Sequence, residues 1–75
     1  MTQQKLFALI AEVFEIPVGK VSSAMQRGEA EAWDSMNHLR LITAIEQEFA
    51  VTFSMNEILA AKTPDDLQRM IEQRV

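Results

Sequence analysis

The chain has 75 residues, 48% of them apolar, a net charge of −4 and no cysteine. That is room for one small domain, expected to span 1–75, burying about 60–65% of its unfolded surface. It excludes disulfides and thiolate metal sites, and the negative charge excludes the clustered Lys and Arg that nucleic-acid binding needs.

Leu6, Phe7, Leu9, Ile10, Val13 and Phe14 recur at spacings of three and four, with Gln3, Gln4, Lys5 and Glu12 between them. This pattern predicts an amphipathic helix from Thr2 to Glu15, with Thr2 as a candidate cap. Ile16-Pro17-Val18-Gly19 should end it, because proline cannot continue the hydrogen-bond ladder and biases the residue before it to extended geometry. Gly19 to Trp33 has no sustained period. It reads as a long loop with one helical turn near Ser22–Gln26, tacked to the core by Val21 and Trp33. A lone aromatic makes a poor stacking platform, so Trp33 is expected to pack.

A second helix is predicted over Ser35–Phe49, with Asp34 as its N-cap. Leu39, Leu41, Ile42, Ala44, Ile45 and Phe49 form a wide apolar band that should face more than one neighbour. Ala50-Val51-Thr52-Phe53 reads as an extended link. Ser54 with Glu57 three residues on fits a capping box, predicting a short helix from Met55 to Ala61 that buries Ile58 and Leu59. Thr63-Pro64-Asp65-Asp66 marks another helix start, with Leu67, Met70, Ile71 and Val75 on its inner face. Met25, Met55 and Met70 are expected as core filler and Met36 as exposed. The fold class is therefore all-α: a small four-helix bundle, its third helix short, with a long loop between helices 1 and 2.

Ser35 places a hydroxyl at a helix N-terminus beside an acid. Unpaired N–H groups and the positive end of the helix dipole gather there, so an attached anion such as a phosphodiester would be well placed. A catalytic pair of Ser35 with His38 is disfavoured, since no nucleophile elbow and no orienting acid accompany it. His38 is expected either as a partly exposed surface residue or as a contact to the attached group. One histidine and scattered acids supply no metal-ligand spacing. From Glu29 to Glu57 six acids face Arg40 alone, a net of −5, while the rest of the chain nets +1. This acidic segment suits partners with basic docking patches.

Asp34-Ser35-Met36 resembles the Asp-Ser-Leu motif of acyl carrier proteins and peptidyl carrier domains, with Met in place of Leu. The likeness runs on from Trp33 through Leu39 and Ala44 to the Glu46-Gln47-Glu48-Phe49 ending. Phe53, the short helix around Ile58 and the Thr63–Ile71 helix complete the family order. The resemblance implies a carrier and not an enzyme. Ser35 would receive 4′-phosphopantetheine from coenzyme A, and the arm would hold acyl or aminoacyl groups as thioesters. Its partners would be a phosphopantetheinyl transferase, engaged through Asp34 and a magnesium ion, and acyl- or aminoacyl-loading and transfer enzymes. Asp34, Met36, Arg40 and Glu46 are the expected partner contacts. Asn37 and Arg40 stand where acids are common, and a Trp precedes Asp-Ser, which favours a specialised acyl, aminoacyl or peptidyl carrier over one of bulk fatty-acid synthesis. An unmodified carrier-like adaptor is the alternative. A cytoplasmic monomer with no nucleic-acid or membrane partner is expected, since no secretory leader opens the chain and no apolar run approaches the ~20 residues of a membrane span.

Overall fold

The computed structural model describes residues 2–23, 25–29 and 31–74. Four α-helices follow in order: α1 (Thr2–Phe14), α2 (Ser35–Phe49), α3 (Met55–Ala60) and α4 (Pro64–Glu72), with a single 3-10 turn at Val18–Lys20 and no strand among the described residues. The all-α expectation and the order of elements hold. The side chain of Thr2, expected as a cap, lies outside the described part of the molecule, as do Ala24 and Val75.

α1 buries Leu6, Ile10, Ala11 and Phe14, the stripe that its three-and-four spacing predicts. It ends as Glu15 turns left-handed (φ 57°) and the Ile16 N–H reaches the Ala11 carbonyl at 3.0 Å. Ile16-Pro17 then blocks continuation, and the chain makes a 3-10 turn at Val18–Lys20, ahead of the helical turn expected near Ser22–Gln26. At the expected site the Met25 N–H meets the Ser22 carbonyl at 3.3 Å, but no helical turn forms there among the described residues.

α2 contributes Leu41, Ile42 and Ile45, and α4 contributes Pro64, Leu67 and Ile71. Both helices flank the hydrophobic stripe of α1 or its end, and α1 packs on each. Val21, Trp33, Phe53 and Ala61 close the core from the connecting segments. Arg27 ties the long loop to the far side of the bundle, its N–H on the Lys62 carbonyl at 2.8 Å. Gly28 next to it takes φ 90°, a conformation that glycine adopts without steric penalty.

Four apolar assignments are corrected. Leu39, read as part of the inner band of α2, is 57% exposed. Leu59 and Met55, read as buried, are likewise exposed, and Ile58 is only half-buried. The cause is the same in each case. α3 buries no residue fully and makes no packing comparable to that of α1 on α2 or α4, so it leaves these faces open. No described helix is long and apolar enough to cross a membrane.

Candidate functional site

The start of α2 is built by local chemistry. Asp34 is extended (φ −88°, ψ −178°) and its carboxylate accepts the Asn37 N–H at 2.8 Å, the N-cap expected from sequence. Its own carbonyl accepts the His38 N–H at 2.9 Å, the first bond of the helix. Asn37 returns the favour to the loop, donating its side-chain amide to the Ala32 carbonyl at 2.7 Å. The segment Ala32–Asp34 is thereby pinned to the first turn of α2 from two sides. Ser35 stands exposed at the first helical position. There the N–H groups of Ser35 and Met36 have no intrahelical acceptor, so a phosphodiester on the Ser35 hydroxyl would meet backbone donors and the positive end of the dipole.

Below this rim sits a buried polar relay that the sequence did not reveal. Trp33 is fully buried and lies tilted on Phe14, ring centres 5.6 Å apart. Its indole Nε1–H donates to His38 Nδ1 at 3.0 Å. His38 Nε2 lies 2.7 Å from the carbonyl of Ile58, which can only accept, so Nε2 carries the proton and the imidazole is neutral. Burial pushes the His38 pKa below its ordinary value. The bond to Ile58 opposes that, and the charge of Arg27 adds to it. His38 is only 3% exposed, so the expectation of a surface histidine or a contact to the attached group is corrected. Both ring nitrogens are engaged away from Ser35, so the Ser35–His38 pair does not form. A lone histidine five residues after a tryptophan carries no recognisable signal, because their rings meet only once the Asp34 cap turns Trp33 back over the first turn of α2.

The other predicted residues fall into two groups. Met36 is 64% exposed and lines a shallow groove on α2 with Leu39, Arg40, Thr43, Ala44 and Gln47. Glu46 is on a different side: half-buried, it accepts the Phe53 N–H at 2.9 Å and so anchors the link to α3. Two further residues went unnoticed in the sequence. Arg74 reaches the Thr52 carbonyl at 3.0 Å, pairs with Glu57, and stacks over the Phe53 ring at 5.0 Å. Arg27 donates a guanidinium N–H to the Leu59 carbonyl at 2.8 Å. Among the described residues no group of three His, Asp or Glu is placed to hold a metal ion.

The family model of the phosphopantetheine attachment site matches residues 4–71, from the first turn of α1 into the last turn of α4. No curated protein sequence matches the chain significantly. Among solved structures, a holo acyl carrier protein from Geobacter metallireducens, determined by solution NMR, superposes with a TM-score of 0.85. The two are 23% identical, and the match covers 97% of this chain and 84% of that one. That likeness establishes the shared fold. With the family model spanning all four helices and the serine-bearing start of α2, the chain belongs to the phosphopantetheine attachment-site family and is a phosphopantetheine carrier.

Proposed function

We propose that Ser35 is the attachment point of 4′-phosphopantetheine, and that this single domain hands acyl or aminoacyl groups between partner enzymes without catalysing a reaction itself. The observation that carries the reading is the position of Ser35: exposed, first in α2, directly after a cap made by Asp34. The attached group supplies the thiol on which the cargo rides as a thioester. The chain's own part is to present the hydroxyl, stabilise the phosphodiester with the first N–H groups of α2, and offer a surface for docking. Lacking a base beside Ser35, the protein relies on a transferase for the attachment, with Asp34 contributing to that encounter.

Partners that reach a group tethered at Ser35 dock on the start and outer face of α2. Asp34, Met36 and Arg40 meet them there. Glu46, with one oxygen on Phe53, contributes its charge from the side. Arg40 interrupts the acidic run, which favours a dedicated set of enzymes over those that recognise a uniformly acidic helix.

Incubation with coenzyme A and a promiscuous phosphopantetheinyl transferase, followed by intact-mass measurement, tests the assignment. The wild type should gain one phosphopantetheine. Ser35→Ala should gain none while keeping its helical circular dichroism. A labelled Ser35→Ala would place the attachment elsewhere.

A further inference from the structure

α3 is held in an unusual way. A helix of six residues cannot satisfy its own last carbonyls, and this one has no fully buried side chain to fasten it. Its C-terminal end is capped from outside instead. The Ile58 carbonyl receives His38 Nε2–H at 2.7 Å, and the Leu59 carbonyl receives the Arg27 guanidinium at 2.8 Å. Just beyond the helix, the Lys62 carbonyl receives the Arg27 N–H at 2.8 Å. With the Glu57–Arg74 pair and the half-buried Ile58, these contacts hold α3 where a buried stripe holds α4.

We propose that His38 is a proton-operated latch: neutral, it fastens the C-terminal end of α3 to the first turn of α2, and protonated, it lets that end go.

The reason lies in donor and acceptor counting. Neutral His38 accepts from the Trp33 indole at Nδ1 and donates to Ile58 at Nε2. Protonation turns Nδ1 into a donor, set 3.0 Å from an indole nitrogen that can only donate. One ring must move. Trp33 is fully enclosed and packed on Phe14, whereas His38 is a single side chain at the edge of the core, and its new charge favours water over burial. The Nε2–H can still donate to Ile58, and that bond by itself favours the charged ring, but the cost of burying the charge is the larger effect, so the imidazolium swings outward and leaves the Ile58 carbonyl. Arg27 is the charged group acting on His38 through space, and it opposes protonation. The other charged groups on the elements around it are Lys20, Glu29, Glu31 and Asp34 in the loop, Arg40, Glu46 and Glu48 on α2, Glu57 on α3 and Lys62 just beyond it. Asp34 is engaged by the Asn37 N–H, Glu46 by the Phe53 N–H, and Glu57 by Arg74 and Ser54. The latch stands whether or not Ser35 is the modified residue.

A pH titration of the intact protein by two-dimensional amide NMR tests this. The Trp33 indole N–H and the Ile58–Ala61 amides should titrate together with the His38 ring, at a midpoint below 6.5, while Leu67–Ile71 stay fixed. Below that midpoint, hydrogen exchange in Ile58–Ala61 should quicken roughly fivefold beyond the intrinsic pH effect, the equivalent of one hydrogen bond. His38→Gln should remove the transition. Arg27→Gln, which keeps His38 in place, should raise the midpoint, because a repelling charge is gone. Trp33 and α3 signals that ignore the titration of His38 would overturn the proposal. So would a transition that survives in His38→Gln, or a midpoint that Arg27→Gln leaves unmoved or lowers.

Discussion

α3 and α4 begin with the same chemistry and are held by opposite means. Each opens on a complete capping box: Ser54 with Glu57, and Thr63 with Asp66. α4 then buries Pro64, Leu67 and Ile71, whereas α3 buries nothing fully and hangs on His38, Arg27 and the pair of Glu57 with Arg74. A capping box says where a helix starts. It does not say what fastens the helix to the rest of the molecule. Apolar burial ties α4 into the cooperative unit, while a handful of polar contacts leaves α3 able to open by itself, as weakly buried segments do.

The sharpest way to break the comparison is to truncate matching leucines. Leu67→Ala should cost about 2–5 kcal/mol, as should Ile45→Ala, with Phe14→Ala at about 3–5 kcal/mol, because each removes fully or nearly fully buried apolar atoms and leaves a cavity. In a domain of this size, thermal melting should fall by on the order of 10 °C or more. Leu59→Ala, on an exposed face of α3, should stay within about 0.5 kcal/mol. Equal losses at Leu67 and Leu59 would mean that α3 belongs to the same core.

Next in size come the caps. Thr63→Ala should lower global stability by about 1 kcal/mol, read as a shifted melt. Ser54→Ala should speed hydrogen exchange in α3 and move the melt less, because α3 can open without unfolding the bundle.

The pH dependence sharpens the same contrast. Burial holds His38 below its ordinary pKa of about 6.5, so the unfolded chain binds the proton first. The stability that this confers is fully present above about pH 6.5, is lost as pH falls from there through the lower folded value, and changes no further below it. Glu57 is held below its ordinary value by the Ser54 N–H and by Arg74. Asp66 is also held low: burial raises it, but the Lys62 and Thr63 N–H groups and Arg69 outweigh that. Their contribution is present above the ordinary carboxylate range and is lost as pH falls through their folded values. Denaturation followed from pH 8 to pH 3 should therefore show two separate declines, and His38→Gln should remove only the upper one.

The smallest effect on folding, and the most specific on function, belongs to the outer face of α2. Met36→Ala and Arg40→Glu should each leave stability within about 0.5 kcal/mol. Transfer by the cognate enzymes should fall more with Met36→Ala than with any single acid substitution, and should depend only modestly on salt, since apolar contact is not screened. Arg40→Glu should improve recognition by enzymes built for an acidic helix and weaken the cognate ones. Equal activity of wild type and Arg40→Glu with both enzyme sets would show that Arg40 does not choose partners.

Much of this molecule was written locally. The Asp34 cap, both capping boxes, the proline at the start of α4 and the stripe of α1 follow from contacts within four residues, which the order of amino acids alone determines. The same holds for the position of Ser35 at a helix start, and for Trp33 as an anchor in an otherwise polar loop. What the tertiary structure decided is which apolar faces are covered and what the polar side chains hold. Leu39 on α2 and Met55 and Leu59 on α3 have the right spacing for burial but are exposed, because a face is buried only where another element lies on it, and none lies on these. His38 is buried, and Glu46 anchors a backbone N–H, because the long loop and the Phe53 link bring partners to them from outside their own helix. Periodicity within a segment carries no record of those encounters, since they depend on where segments distant in sequence come to rest.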